Sequence, residues 1–372
     1  MSKVFVRDMR IVTALGDLQN TYAALLAAKS GISPVSPGFP GLAATISALD
    51  FFKKDSRMIP LLDMLLSSLP EVPADTLLIT ATTKAGIDNL ESCMRRKGTN
   101  IYKTMPQWLA CHVRHRLGLT QPGFAVSSAC ASSTIALAQG AKAIASGRAQ
   151  SVLVVCADIV SEFVLRGFDA LKALDSQPCR PFDQNRAGLS LGEGAAAIHL
   201  VSANTEDRAA VPMLGEILGW GVACNAVHIT APARDGRGLI RAVNRALDRA
   251  GLCSRDVGAV NAHGTGTVYN DAMEITAVKA VFKGRPLPVY SVKGAVGHTM
   301  AASGAVETAL GLKSLHSGLI PPTVGLKQPD KEAWRYVSSE MQELSQKVMV
   351  TTNSGFGGIN AALVLSMEEC TQ

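Results

Sequence analysis

The sequence predicts an α/β fold with a hint of internal duplication, and three observations point to it. β-rich runs alternate along the chain with Ala-rich helical ones, the pattern of layered α/β architecture. A polar stretch, Ser202–Ala209 (SANTEDRA), divides the 372 residues into two parts of similar size. Each part contains a strand, a sharp turn and a helix of small residues ending near Ser-Gly. In the first this runs from Phe124 through Cys130 to Gly147, and in the second from Val289 through His298 to Gly318. The expected domains are 1–205, carrying Cys130, and 206–372, carrying His263, His298 and a glycine-rich loop around Phe356.

Strands are expected where β-branched and large apolar residues run together between turn signals. These are Thr76–Thr80, Phe124–Ser127, Val152–Cys156, Ala195–Val201, Gly258–Asn261, Val289–Val292, Val348–Thr352 and Ala362–Ser366. Helices are expected at Asn20–Ala28, Ser132–Ala145, Arg237–Ala250, Asp271–Val281 and Ala302–His316. With 47% hydrophobic but only 5% aromatic residues, the core must be made largely of small side chains that let backbones approach closely.

Composition also narrows the function. The net charge of +6 is mild and comes without a basic run, which argues against a nucleic-acid binder. It suits an acidic protein partner or a phosphate-bearing ligand. The eight cysteines show no C-x-x-C pair and no regular spacing, so reduced thiols in a cytoplasmic setting are expected. The N-terminal MSKVFVRDMRIV has no continuous apolar region of the signal-peptide kind. The longest apolar runs, such as Ser151–Val160, have strand length and could not span a bilayer as a helix.

Four stretches carry possible chemistry. In AVSSACASSTIALAQGAKAIASG, Cys130 lies where a strand turns into a helix, with Ser132 or Ser133 available to cap it. Free N–H groups and the positive helix end there are expected to lower the thiol pKa; a lone cysteine is otherwise most often structural. In Asn261-Ala-His263-Gly-Thr265-Gly-Thr267, one imidazole follows a strand among small polar residues, either for proton handling or as an ordinary turn histidine. SVKGAVGHTMAASGAVE holds Lys293, His298 and Glu307. Lys and Glu there could fix the His298 tautomer, or simply be solvated. Ser354-Gly355-Phe356-Gly357-Gly358 could bring backbone close to a ligand under a Phe lid, or form a plain hairpin connection.

Taken in order, these four stretches resemble the β-ketoacyl-acyl carrier protein synthases. Arg180-Pro-Phe-Asp183, Arg186, Gly188 and Gly192-Glu-Gly194 add to the match, which covers nearly the whole chain. The resemblance implies a thiolase-like fold, two related halves in a layered αβαβα arrangement, usually dimeric. It puts Cys130 at the nucleophile and His263 and His298 at the two catalytic histidines. Lys293 and Glu307 fall at the supporting charged pair. Cys130 and Phe356, flanked by Gly355 and Gly357, fall at the oxyanion hole and gate, and Thr265 and Thr267 at the phosphopantetheine contacts. The implied reaction is decarboxylative condensation of an acyl chain on Cys130 with a malonyl thioester. No metal or redox cofactor is expected, substrates arriving on the phosphopantetheine arm of acyl carrier protein. A second ketosynthase-like subunit, identical or not, is the other expected partner.

The Cys-His-His set resembles the elongating members rather than thiolases or the initiating synthases. Asn353-Ser354-Gly355-Phe356-Gly357-Gly358 has one aromatic fewer than the N-S-F-G-F-G-G common in the family, and Ala301 and Ser303 replace a Gly and an Ala. SEFVLRGFDALKALDSQPCRPFD, HITAPARDG and HGTGTVYNDAME resemble synthases of aryl polyene or related polyketide pathways. Two rival readings are a cysteine thioester hydrolase using Cys130 and His263, and a chain-length partner without turnover. Cys111, His112 and His115 are read as a plain helix face rather than a zinc site. Lys53, Lys54 and Arg57 are expected to meet the acidic carrier protein.

Overall fold

A computed structural model describes residues 2–35, 41–49, 55–96, 101–203 and 212–367, so the expected boundary at 205/206 lies outside the described residues. Ten strands form the large sheet. The first half supplies β1 (Val4–Thr13), β2 (Leu77–Ala81), β3 (Phe124–Val126), β4 (Ser151–Asp158) and β5 (Gly194–Ser202). The second supplies β6 (Gly215–Cys224), β7 (Ala259–Asn261), β8 (Val289–Tyr290), β9 (Val348–Gly355) and β10 (Ile359–Ser366).

Their order in the sheet is β8-β7-β9-β10-β6-β1-β5-β4-β2-β3. Counted within its own half, each set of five reads third, second, fourth, fifth, first from the outer edge inward. The sequence hint of a repeat is thus a repeat of topology. Among the described residues, only Phe5 opposite Glu216 and Val6 opposite Gly215 pair across the join.

Side-chain alternation along each strand sorts residues into layers. On β4, Val152, Val154 and Cys156 enter the central core, while Leu153, Val155 and Ala157 enter an outer one. The outer core is closed by α1 (Met58–Leu66) and α2 (Pro106–Leu117). Between the two halves of the sheet lie α3 (Ser132–Ala145) and its counterpart from the second half, Ser303–Ser317, both touching strands of each half. Their small residues are a packing requirement: a Cβ at Gly304 would run into Thr134 where the two helices cross. The far face of the second half is covered by Arg237–Ala250 and Val268–Val281. The result is five layers, α-β-α-β-α.

Most expected elements are present with shifted ends, and Ser132–Ala145 and Arg237–Ala250 have the expected bounds. Two ten-residue strands escape the sequence reading. Arg7, Asp8 and Arg10 interrupt the apolar run of β1. Glycines dilute β6, because a Cβ at Gly219 would strike the Ala246 carbonyl and one at Gly221 the Ala242 carbonyl of the covering helix. Strand propensity there yields to close helix packing.

Candidate active site

β3 ends at Val126, and the chain turns sharply before α3 with Ala129 at φ +47°, uncommon for a residue with a Cβ. This turn holds Cys130, 6% exposed, just ahead of the helix. Neither serine caps α3. Ser132 Oγ accepts from Ser128 N–H at 2.8 Å and donates to the Ala129 carbonyl at 2.6 Å, bracing the turn. Ser133 Oγ accepts from Ala305 N–H at 3.0 Å, tying α3 to the opposing central helix.

The second half brings up the histidines at corresponding strand ends. After β7, the backbone N–H groups of His263 and Gly264 donate to the buried Glu274 carboxylate at 2.8 and 2.6 Å. After β8, a short helical turn, Lys293–Val296, leads through Gly297 to His298, whose N–H donates to the Ser190 carbonyl at 2.7 Å. Cys130 Sγ and one ring nitrogen from each histidine lie within 4.8 Å of one another. The two imidazoles meet edge to face, with centroids 5.2 Å apart.

Hydrogen bonding fixes what each ring presents. Met300 N–H donates to His298 Nδ1 at 3.3 Å, and the Ser303 hydroxyl lies 3.0 Å from the same atom. His263 Nδ1 faces two donors at 3.2 Å, the Lys293 ammonium and the Asn353 amide. Each Nδ1 is therefore an acceptor and each Nε2 carries the proton. Burial, then the Lys293 charge, holds both rings well below the usual histidine pKa, and each is neutral at pH 7. Two neutral imidazoles thus offer Nε2–H donors, not lone pairs, beside the Cys130 sulfur. That arrangement suits an oxygen acquiring negative charge better than a cation.

Lys293 and Glu307 form a buried ion pair at 2.5 Å, both 1% exposed, and Asn353 donates to the other Glu307 oxygen at 2.8 Å. The expectation that this pair fixes His298 is corrected: Lys293 and Asn353 hold His263, whereas His298 is held by Ser303 and the Met300 backbone. The thiol also departs from expectation. Burial pushes Cys130 up to about 11, outweighing the opposing Lys293 and Lys84 charges and a backbone N–H from Phe356. A helix end contributes about 0.3–1 kcal/mol, less than one pKa unit, so it cannot offset burial of this size.

Phe356 follows β9, and its ring lies 5.9 Å from that of Phe168. Gly355 is required by close approach, since a Cβ there would press on Ile359 and crowd the Cys130 N–H; Gly357, at φ +85°, continues the turn. Phe356 and Cys130 border two cavities. One, about 360 Å³, contains His263, His298, Thr265 and Thr267 in its walls. The other, about 340 Å³, lies against Lys84, Phe163, Phe168 and Met300. Thr265 and Thr267 join hydroxyls at 2.9 Å, and Thr265 N–H donates to Asp271 at 3.1 Å.

Arg57 is corrected as a docking residue: it is buried, paired with Glu193 at 2.5 Å and bonded to the Val160 carbonyl. Lys53 and Lys54 lie outside the described residues. Cys111, His112 and His115 fall on α2, where His112 stacks on Trp108. Sequence reasoning missed the roles of Glu274 and Asn353, and treated Ser303 only as a departure from pattern. Spacing alone gives no sign of them, because each acts through folding back onto another element. No helix among the described residues is long and apolar enough to cross a membrane.

Comparison with known proteins agrees with this arrangement. Residues 74–206 match the family described as Beta-ketoacyl synthase, N-terminal domain, and residues 214–327 match Beta-ketoacyl synthase, C-terminal domain. Nodulation protein E of Rhizobium meliloti is 36% identical over 288 residues, 76% of this chain and 71% of that protein. The 3-oxoacyl-[acyl-carrier-protein] synthase 2 of Staphylococcus aureus is 33% identical over 269 residues, 70% of this chain and 67% of that one. Among solved structures, the ishigamide ketosynthase/chain length factor superposes with a TM-score of 0.90 at 25% identity, covering 99% of both chains. The fold is the thiolase-like ketosynthase fold, and the chain belongs to the β-ketoacyl synthase family.

Proposed function

We propose that this chain is an elongating β-ketoacyl-acyl carrier protein synthase. The observation that carries the reading is the convergence on the Cys130 sulfur of two buried imidazoles whose Nδ1 atoms already face donors, which leaves each Nε2–H to donate. In the first step, Cys130 exchanges with an acyl thioester: the acyl–sulfur bond to the carrier breaks, the bond to Sγ forms, and the thiol proton leaves with the carrier thiol. The Cys130 and Phe356 backbone N–H groups stabilise the oxyanion, at about 3 kcal/mol per donor.

A malonyl thioester then takes the carrier's place, its arm running past Thr265 and Thr267. Its carboxylate departs as CO₂, and the released electron pair forms an enolate whose oxygen accepts from His263 and His298. The enolate carbon attacks the acyl carbonyl, Cys130 leaves as thiolate, and one proton from solvent restores the thiol. Loss of CO₂ supplies the driving force, so the step calls for no metal or redox cofactor. Lys293, Glu307 and Asn353 hold His263 in its donating tautomer.

Acyl carrier protein is the proposed partner, supported by the named activity of the Staphylococcus aureus relative. The ishigamide pair supports a second, ketosynthase-like subunit. The segments noted above favour a polyketide or aryl polyene pathway over housekeeping fatty acid synthesis. The test is condensation of malonyl-carrier protein with a panel of acyl-carrier starters, by wild type and Cys130→Ala. The wild type extends one or more starters by two carbons and the variant none; equal product from both contradicts the reading. A chain-length partner without turnover would leave Cys130 unacylated in intact mass spectra.

A further inference from the structure

The 340 Å³ chamber beyond Phe356 contains a feature the condensation chemistry does not use. Its walls are mostly apolar, with Phe163, Phe168 and Met300, yet Lys84 lines it together with Cys130. The half-buried Lys84 ammonium donates to Thr83 Oγ1 at 3.2 Å and has no ion-pair partner among the described residues. The nearby carboxylate, Asp158, is occupied elsewhere. It accepts from the hydroxyls of Thr82 and Thr83 at 2.7 and 2.8 Å and from Ala301 N–H at 2.8 Å. Asp158 thus fixes the loop that carries Lys84, and the two charges act on each other without forming a direct ion pair.

A half-buried cation in an otherwise mostly apolar wall gains a charge-assisted hydrogen bond from an occupant that supplies an acceptor. A saturated acyl chain supplies none beyond its thioester. The product of condensation does: its new keto oxygen stands two carbons along the chain, and unreduced products returning for another round carry such oxygens near Cys130. We propose that this chamber selects oxo-acyl chains over saturated ones, with Lys84 hydrogen-bonding a keto oxygen of the chain held on Cys130. This rests on Cys130 being the acyl carrier and names the class of chain it carries.

The test is the rate of Cys130 acylation, followed by intact mass, from carrier protein loaded with octanoyl, 3-oxo-octanoyl or 5-oxo-octanoyl chains. Wild type is compared with Lys84→Met. Taking the ratio of oxo to saturated rates within each protein cancels any general effect of Lys84 on the thiol. The expected result is a ratio of about ten or more for at least one oxo chain in wild type, the range of a charge-assisted hydrogen bond, falling toward one in Lys84→Met. A wild-type ratio of one or less for both oxo chains, or a high ratio retained in Lys84→Met, overturns the proposal. A folded wild type that accepts no chain at all overturns the assignment of Cys130 and this proposal with it, a result distinct from loss of selectivity.

Discussion

At the scale of single residues, the site depends on which nitrogen of each histidine carries the proton. Ser303 is the informative case. Its hydroxyl lies 3.0 Å from His298 Nδ1 and 3.2 Å from Thr299 Oγ1, and the Met300 backbone N–H serves the same ring nitrogen. Ser303→Ala should therefore slow malonyl decarboxylation about two- to tenfold, the worth of one ordinary hydrogen bond, through kcat rather than KM. Cys130 acylation, measured by intact mass, should be unchanged. An unaltered decarboxylation rate would leave His298 positioned by the backbone alone. The catalytic residue types were legible in the sequence because nucleophile and imidazoles each follow a strand within short, distinctive stretches. Their supports were not: Lys293 lies five positions before His298 in the chain yet turns to His263 in space. Nor was the raised thiol pKa, since burial is set by the whole fold and not by the local turn.

Among the elements, those whose residues satisfy a simple period were readable. Ser132–Ala145 and Arg237–Ala250 emerge with the expected bounds, and β4 alternates faces through its whole length. β6 was not readable, because its glycines answer to the helix Arg237–Ala250 lying on them rather than to strand propensity. Gly219→Ala tests that explanation. A methyl group against the Ala246 carbonyl should cost about 2–3 kcal/mol and lower the urea midpoint. An unchanged midpoint would show that the strand has room to spare and that its glycines have another origin. The same close packing recurs at Gly304, where the two central helices meet and thereby bring the turn carrying Cys130 to the loop carrying His298.

For the whole molecule, two copies of one strand order supply different parts of one site: the first half provides the thiol, the second the donors. The price of assembling them at the centre is that several histidines are buried uncharged. His263 and His298 lie well below the usual pKa, and burial with the Arg7 charge lowers His199 to about 4. A folded pKa below the unfolded value near 6.5 means the unfolded chain binds more protons between the two. Stability from these groups is thus fully present above about pH 6.5 and falls as pH drops toward their folded pKa values. His199 alone accounts for up to about 3 kcal/mol. Buried carboxylates such as Glu274, whose pKa burial raises to about 7, act in the opposite sense. The histidine contribution is therefore read from a difference: from pH 7 to pH 4.5 the urea midpoint of wild type should drop relative to that of His199→Asn. An identical pH dependence in wild type and His199→Asn would contradict the buried neutral assignment of His199.

The central claim is that a carbanion formed under the two histidine donors collects the acyl group waiting on Cys130. A single turnover measures it directly. Enzyme preloaded with an acyl chain that it accepts is mixed with malonyl-carrier protein labelled with ¹³C in the free carboxyl group. Labelled CO₂, loss of the acyl mass from Cys130 and the two-carbon-extended product are then quantified together. The account predicts equal amounts of all three in wild type, and in His298→Ala an acyl group retained on Cys130 with labelled CO₂ sharply reduced. Release of the chain as free acid without labelled CO₂, or undiminished CO₂ release by His298→Ala, would contradict it.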